Sequence, residues 1–267
     1  MDYVKAYYDE NSTLEWDRLD NPYSRIEFTT TTHLIDKYFK NISNVIDIGS
    51  GSGRYSIELI KRGFDVSLLD LSQNLLDIAK KNIENISNKK YDYFCKSALE
   101  LDFIEGDAFE YALVLGPLYH LHNEEDRLKV INDTYRILKP GGRAIIAYIN
   151  TWGVLKAAVY EFPDIFEDIG HFDRYLNGNI KFSKEESFTE TFFTTAEHAI
   201  EEVSKSKLKI ISTAGAESFL SGLIMDVKDL YKRDINLYNK FIKKAAEYSE
   251  EEQYRNITEH FLIVVEK

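Results

Sequence analysis

The sequence predicts a doubly wound α/β fold, in which one mostly parallel sheet of seven strands has helices on both faces. Between Asn44 and Gly153, short β-branched runs alternate with amphipathic helical patterns, as in a series of strand–helix–strand units. The first run leads directly into a glycine-rich loop, which is where open sheets of this class bind their ligands. With 267 residues, of which 44% are hydrophobic, the chain is long enough to bury a core of its own.

Five strands are predicted in the first part of the chain and two near its end. They are residues 44–48, 65–70, 91–96, 110–115, 143–149, 208–213 and 260–265. Helices are predicted from the glycine loop to about Arg62, from a cap at Ser72, and from Asn123 to the Lys139-Pro-Gly-Gly142 turn, where proline stops the helical pattern. Residues 195–206 and 217–257 carry further helical patterns, and residues 151–193 are rich in aromatic side chains.

The composition excludes several classes of protein. The chain has 45 acidic and 33 basic residues, and its net charge of −12 disfavours binding to nucleic acid. A single cysteine, Cys95, excludes a disulfide framework and a multi-cysteine zinc site. No apolar run approaches the length of a membrane span, and residues 1–16 lack the pattern of a signal peptide. We therefore expect a cytoplasmic protein with no nucleic-acid or membrane partner and no metal, and leave its oligomeric state open.

The strongest local motif is the loop Asp47-Ile-Gly-Ser-Gly-Ser-Gly53 between the first strand and its helix. A dinucleotide fingerprint needs Gly-x-Gly-x-x-Gly, but here the third glycine, Gly53, comes one residue early. Asp47 would also lie unfavourably close to a diphosphate, whereas it suits a ligand with a sulfonium and an ammonium group. Asp70 ends the second strand, where a carboxylate can accept both ribose hydroxyls. Together these residues favour S-adenosylmethionine over NAD.

Several motifs resemble those of class I S-adenosylmethionine-dependent methyltransferases, in particular the bacterial type with small-molecule substrates. They are residues 7–9, 15–19, 45–55, 66–72, 116–121, 138–142, 187–193 and 215–219. The resemblance covers most of the chain. It implies an enzyme with a Rossmann-like methyltransferase fold, S-adenosylmethionine as the cofactor, and a small-molecule methyl acceptor whose identity the motifs do not specify.

The same resemblance implies which residues bind the cofactor. The glycine loop would contact the methionine part, Asp70 the ribose and Leu71 the adenine. The family usually has Asp-Ala after the third strand, whereas this chain has Ser97-Ala98, so we expect a weaker bond to the adenine amino group. Arg25 is a candidate for the methionine carboxylate, because a guanidinium matches its shape. The predicted set is Asp47, Gly49, Ser50, Gly51, Asp70, Leu71, Ser97, Ala98, Leu115, Gly116 and Arg25.

Methyl transfer mainly requires alignment of the reacting atoms, so few catalytic residues can be expected. His120 and Tyr119 follow the fourth strand and are predicted to face the methyl group. His120 is either a general base or a residue that packs at a helix start, and Tyr119 is either a substrate contact or part of the wall. Tyr7 is the third candidate, since it or Tyr8 could point an oxygen at the sulfonium.

We divide the chain into an N-terminal helical segment that covers the cofactor (1–40), a cofactor-binding core (41–150), an aromatic-rich helical cap insertion (151–193), and the remainder of the core with a helical insertion at 217–257 (194–267). The aromatic residues of the cap either line a substrate pocket or form a core of their own. Three other functions remain as alternatives: methylation of RNA or protein, non-catalytic cofactor binding, and an NAD-dependent oxidoreductase.

Overall fold

The computed structural model describes residues 2–12, 16, 20–187 and 189–267. Most of the motif at residues 15–19 and all of Phe188 therefore lie outside the described residues. Within these ranges one sheet contains nine strands: Asn44–Ile48 (β1), Asp65–Asp70 (β2), Asp92–Cys95 (β3), Phe109–Val114 (β4), Leu138–Asn150 (β5), Ile180–Phe182 (β6), Thr191–Thr194 (β7), Lys209–Gly215 (β8) and His260–Glu266 (β9).

The α-helices among the described residues flank this sheet or connect its strands. They are Asp2–Glu10 (α1), Ser24–Tyr38 (α2), Arg54–Lys61 (α3), Gln73–Glu84 (α4), Glu124–Ile137 (α5), Thr151–Glu161 (α6), Gly170–Asn177 (α7), Ala196–Ser204 (α8), Ile224–Arg233 (α9), Ile235–Glu247 (α10) and Glu252–Arg255 (α11). Short 3-10 turns at Pro117–His120 and Ser218–Leu220 follow β4 and β8.

The first five strands are parallel and lie in the order β3-β2-β1-β4-β5. On the other edge of β5, β9 runs antiparallel to it from Arg143 to Ile149, and β8 runs antiparallel to β9. Because the order reverses between β1 and β4, the connections after these two strands lead to opposite faces of the sheet, and the carboxyl ends of strands at such a point are the usual ligand site of an open α/β sheet. The predicted mostly parallel, doubly wound α/β sheet is confirmed.

The number of strands differs from the prediction. The sheet has nine strands rather than seven, because β6 and β7 form a hairpin inside the segment that we predicted as a helical cap. β7 adds to β5 at Ile149 and Asn150, beyond the last pair between β5 and β4 at Val114. Strands of three and four residues acquire stability only from such pairing and leave little trace in a sequence pattern.

Alternate residues of the central strands face two different layers of helices. In β1, Val45 packs with the buried residues of α2, α3 and α4, whereas Ile46 packs with those of α5 and α8. Helices on both faces explain why the parallel strands are apolar on both sides. This packing holds the carboxyl ends of β1, β2 and β4 in one rigid edge.

The aromatic residues of 151–193 pack largely against one another. Tyr175, Phe182 and Phe193 are buried in one cluster, with the Phe182 and Phe193 rings 5.0 Å apart and edge to face, and Phe162 and Phe166 pack against it. The structure therefore favours a core of their own over a substrate pocket. The domain limits that we assigned at 151 and 193 stay a prediction.

Ser72 joins the N-terminal helix to the core. Its hydroxyl accepts a hydrogen bond from the Leu75 N–H (3.2 Å), as the cap of α4, and donates one to Asp9 of α1 (2.5 Å). The backbone carbonyl of Asp9 accepts a second bond from Asn74 (3.0 Å). These bonds place α1 beside the start of α4, and so beside the end of β2.

We expect Ser72→Ala to destabilise the protein by about 1 kcal/mol, the usual cost of a lost helix cap, and also to release α1. Thr195→Ala is the matched control, because Thr195 caps α8 by a similar bond to the His198 N–H. Denaturant titration should give similar losses for both variants. Hydrogen exchange within residues 3–10 should accelerate only in Ser72→Ala; equal exchange in the two variants would contradict this role.

Candidate functional site

A cavity of about 310 Å³ lies at the carboxyl ends of the parallel strands. All but two of the predicted site residues line it: Asp47, Gly49, Ser50, Gly51, Asp70, Leu71, Ser97, Ala98, Leu115, Gly116, Tyr119 and His120. They come from the ends of β1 and β2 and from the loops after β1, β2, β3 and β4, which the parallel topology brings to one edge of the sheet. The volume lies within the usual range for small-molecule sites.

Arg25 and Tyr7 are the two exceptions. Arg25 is exposed on α2 and does not line the cavity, so its predicted bond to a methionine carboxylate is not supported. The guanidinium at the cavity belongs to Arg54, which pairs with Asp20 (2.5 Å). Tyr7 packs edge to face on Tyr8 (5.2 Å between ring centroids), and Tyr8 is the tyrosine that lines the cavity. Successive helical residues point about 100° apart, which separates these neighbours.

The glycine loop presents its backbone to the cavity. The N–H groups of Gly49 and Ser50 donate to the Leu69 carbonyl (2.8 and 3.0 Å), which anchors the loop to β2. Gly49 has φ +78°, and a Cβ there would lie 2.6 Å from Cδ of Pro117, so the loops after β1 and β4 abut. A Cβ on Gly51, with φ +54°, would meet no described atom within 4 Å. A ligand can therefore approach the backbone at Gly51 closely.

Asp70 connects the glycine loop with the start of α4. One carboxylate oxygen accepts the Gly51 N–H (2.7 Å) and the other accepts the Ser72 N–H (2.8 Å). Burial raises the pKa of Asp70 to about 6, although these backbone bonds oppose the shift. Each carboxylate oxygen has a second lone pair, so Asp70 can still accept two hydroxyl groups of a ligand.

Asp47 is the second buried acid of the cavity. It accepts a hydrogen bond from the Ser56 hydroxyl (2.6 Å). Burial, together with the nearby charge of Asp70, raises the pKa of Asp47 to about 7. A cationic ligand would offset the cost of ionising two buried carboxyl groups in one cavity, whereas an anionic ligand would increase it.

His120 and Tyr8 form a hydrogen-bonded pair at the loop after β4. Nδ1 of His120 lies 2.9 Å from the Glu190 carbonyl oxygen, and Nε2 lies 2.8 Å from the Tyr8 hydroxyl. A carbonyl only accepts, so Nδ1 carries the proton and Nε2 accepts from Tyr8. Burial lowers the pKa of His120 to about 4, so the ring is neutral at physiological pH. Tyr119 donates to the Leu115 carbonyl (2.9 Å) beside this pair.

Several cavity residues were not predicted, and the clearest are Glu27, Tyr55 and His260. The Tyr55 hydroxyl lies 3.5 Å from Glu27, and Nδ1 of His260 lies 3.9 Å from Glu27 and 2.7 Å from Glu217. Because β9 is antiparallel to β5, its first residue, His260, lies at the edge where β5 ends. An antiparallel closing strand was the signal that could have predicted this position.

No group of three or more His, Cys, Asp and Glu side chains in the part of the chain that the structure describes could hold a metal ion. Likewise, no helix among those residues is both long and apolar enough to cross a membrane.

Comparison with known proteins finds relatives among methyltransferases. A glycine/sarcosine N-methyltransferase of Parasynechococcus marenigrum is 30% identical over 153 residues, which cover 56% of this chain and 53% of that protein. A demethylmenaquinone methyltransferase of Lactococcus lactis is 31% identical over 105 residues, or 38% and 40% of the two chains. The chain thus spans about half, or less, of the length of these curated relatives.

The fold is similar to that of solved methyltransferase structures. One is 1,6-didemethyltoxoflavin-N1-methyltransferase of Burkholderia thailandensis, with a TM-score of 0.61, 11% identity, and coverage of 99% of this chain and 87% of that one. A second, described as a possible histamine N-methyltransferase of Thermotoga maritima, has a TM-score of 0.58, 14% identity, and coverage of 98% and 99%. At these identities the likeness concerns the fold alone.

A family model extends the comparison across the site itself. It matches residues 28–161, half of the chain, and this range includes the glycine loop, both buried acids and the loop after β4. The chain therefore belongs to the ubiE/COQ5 methyltransferase family.

Proposed function

We propose that this chain binds S-adenosylmethionine in the cavity and transfers its methyl group to a small-molecule acceptor. The observation that carries the proposal is the pair of buried acids, Asp47 and Asp70, on either side of an open glycine backbone. A ligand with positive charge and neighbouring hydroxyl groups would suit such a site. S-adenosylmethionine has a sulfonium, an ammonium and a ribose, whereas NAD would bring a diphosphate to Asp47.

The lining residues fit the parts of this cofactor in order. Asp70 would accept the ribose hydroxyls, and Leu71 and Ala98 would lie against the adenine. Ser97 is buried, and its hydroxyl already accepts the Leu99 N–H (3.1 Å), which leaves a lone pair and its own proton for the adenine edge. The glycine loop and Gly116 would hold the methionine part.

Bound S-adenosylmethionine supplies a methyl group that positive sulfur has already activated. The chain then has to orient the acceptor and exclude water. Tyr8 and His120 suit orientation, because the neutral ring accepts a hydrogen bond from the Tyr8 hydroxyl and fixes the direction of its oxygen. Tyr119, tied to a backbone carbonyl, would form part of the wall.

A small acceptor is favoured over RNA or protein. The net charge of −12 disfavours an RNA partner, and the lysine pairs of the sequence are scattered along the chain. The curated relatives are named for small acceptors, glycine or sarcosine and demethylmenaquinone. We also propose that the protein acts in the cytoplasm.

Binding and transfer can be tested separately. Calorimetry should detect S-adenosylmethionine and S-adenosylhomocysteine but not NAD. Labelled methyl groups from S-adenosylmethionine should enter a fraction of small metabolites and not the RNA or protein fractions. Binding without transfer to any fraction would support the alternative of a non-catalytic cofactor binder, and binding of NAD alone would overturn the proposal.

Affinity for the cofactor should rise with pH. Without ligand, the pKa values of Asp47 and Asp70 are raised to about 7 and 6, and a nearby cationic group would lower them, so binding displaces part of the protons that these groups hold at low pH. Calorimetry with S-adenosylmethionine should give about three- to tenfold tighter binding at pH 8 than at pH 5.5. The same raised pKa values make the ligand-free protein lose stability as pH rises from about 4 to 7, so the thermal shift on binding should grow over that range.

Adenosine is the control ligand for this prediction, because it has the ribose but neither cationic group. Its affinity should change less with pH than that of S-adenosylmethionine. Asp47→Asn should remove the part of the pH dependence near pH 7. If S-adenosylmethionine binds equally at both pH values, the two acids do not face its charge.

A further inference from the structure

Two histidines line the cavity, and their surroundings suit them to different tasks. His120 donates a hydrogen bond from Nδ1 to the Glu190 carbonyl and accepts one from the Tyr8 hydroxyl at Nε2. With a pKa lowered to about 4, His120 has little tendency to take up a second proton at neutral pH. These surroundings suit His120 to stay neutral and to accept the hydrogen bond of the Tyr8 hydroxyl.

The His260 ring instead contacts a buried carboxylate. Nδ1 of His260 lies 2.7 Å from one oxygen of Glu217, and the other oxygen of Glu217 accepts the backbone N–H groups of Glu259 (3.0 Å) and His260 (3.1 Å). The Glu217 side chain is only 3% exposed. Two backbone donors therefore fix the carboxylate, and the carboxylate fixes the plane and the tautomer of the ring.

This arrangement is the one that general bases use. When Nδ1 donates its proton to a carboxylate, the lone pair of the neutral imidazole is on Nε2. A proton taken up at Nε2 creates a positive ring, which the adjacent carboxylate stabilises. Glu217 is thus the positioning residue and His260 the residue that can change its protonation.

The position of His260 in the cavity matches this role. The cavity runs along the sheet edge from the loop after β3, with Ser97 and Ala98, to the start of β9, with His260. The proposed adenine contacts lie at the first end. Ile149 pairs with His260 across the strands and also lines the cavity, so His260 lies at the opposite end, where an acceptor would bind.

We propose that His260, oriented by Glu217, removes the proton of the methyl acceptor, an inference that rests on the proposed function. Nε2 takes a proton from the acceptor atom, whose electron pair forms the new bond to the methyl carbon. The bond from that carbon to sulfur breaks, and its electron pair stays on the sulfur of S-adenosylhomocysteine. The acceptor is therefore an amine, hydroxyl or enol compound with a proton to lose, rather than a thioether or a tertiary amine.

The tautomer of His260 can be measured without any acceptor. In the full-length protein with selectively ¹⁵N-labelled histidine, His260→Gln assigns the signal. At pH 8, with and without S-adenosylhomocysteine, we expect Nδ1 of His260 to carry the proton and Nε2 to be unprotonated. In Glu217→Gln the ring should populate the second tautomer, while the His120 signal stays unchanged. A wild-type ring protonated at Nε2 would overturn the proposal, whether or not the variants fold.

The proton transfer is tested with the metabolite fraction that accepts label from the wild-type enzyme. His260→Ala should lower turnover by about 10²–10⁴-fold, with the Kd for S-adenosylhomocysteine changed by no more than about twofold. Imidazole added to the assay should restore part of the turnover. His33→Ala is the matched control, because His33 lies on α2 and does not line the cavity.

The outcomes separate the two proposals. If wild type binds S-adenosylmethionine but labels no fraction, the proposed function fails. The tautomer measurement still tests independently whether Glu217 orients His260. If wild type transfers methyl groups and His260→Ala retains turnover within about threefold, His260 is not the base and the present inference is overturned. Loss of turnover together with loss of S-adenosylhomocysteine binding would likewise overturn it, because the variant would then affect cofactor binding.

Discussion

Asp70→Ala is expected to weaken binding of S-adenosylhomocysteine by about 10- to 100-fold. The carboxylate would make two charge-assisted bonds to the ribose hydroxyls. Water can bind these hydroxyls in the variant, so the net loss is about that of one such bond, about 1.5–3 kcal/mol. It also accepts the Gly51 and Ser72 N–H groups, so its loss removes one anchor of the glycine loop and one of the start of α4. The measurement is calorimetric titration of the folded variant, in which the expected loss corresponds to about 1.4–2.8 kcal/mol of binding free energy.

Asp65→Ala provides a matched control for this substitution. Asp65 begins the same strand that Asp70 ends, but it is exposed and pairs with Lys89 at the surface (2.8 Å). Its removal should leave cofactor affinity within about twofold and cost little stability. Unchanged affinity in a folded Asp70→Ala variant would remove Asp70 from the cofactor site.

The elements nearest the glycine loop were the most predictable from sequence. β1 and β2 have the predicted limits, since each is an apolar run bounded by Gly, Asp or Asn. Ser72 caps α4 as predicted, because a serine before an apolar helical pattern can accept a backbone N–H of the first turn. Local signals of this kind also placed Asp47, Asp70 and the glycines in one cavity, since parallel strands end at the same edge.

The two predicted residues that do not line the cavity, Tyr7 and Arg25, depend on non-local packing. Whether Tyr7 or Tyr8 faces the cavity depends on how α1 lies against α4, which rests on the bonds from Ser72 and Asn74 to Asp9. Arg25 and Glu27 are two residues apart on one helix, so the packing of α2 decides which of them reaches the cavity. The hydrophobic periodicity of the sequence does not determine how α2 is rotated about its axis.

The β6–β7 hairpin and the His260–Glu217 contact are non-local in the same sense. The hairpin is stable through its addition to β5, and His260 reaches the cavity through the antiparallel pairing of β9. The sequence motif at residues 215–219 includes Glu217, but only the structure shows that Glu217 contacts His260, 43 residues later. Pairing between distant strands therefore set the limit of what the sequence could predict about the acceptor end of the site.

The Tyr8–His120 pair leads to the second large expected effect. We expect Tyr8→Phe and His120→Ala each to lower methyl-transfer turnover by about 10- to 100-fold. The first removes the oxygen that the pair positions, and the second removes the ring that contacts both the Tyr8 hydroxyl and the Glu190 carbonyl. A misplacement of about 1 Å at a reacting centre can cause a loss of this size.

Coupling between the two substitutions distinguishes positioning from acid–base chemistry at His120. If His120 acts only through Tyr8, the double variant should be no more than about twofold slower than the slower single variant. Because the pKa of His120 is lowered to about 4, the pH dependence of turnover between pH 5.5 and 8 should keep its shape in His120→Ala. A pH step near 6.5 that disappears in His120→Ala but persists in Tyr8→Phe would instead make His120 the base. In that case the turnover losses of Tyr8→Phe and His120→Ala would multiply in the double variant, and our proposal that the ring only orients Tyr8 would be wrong.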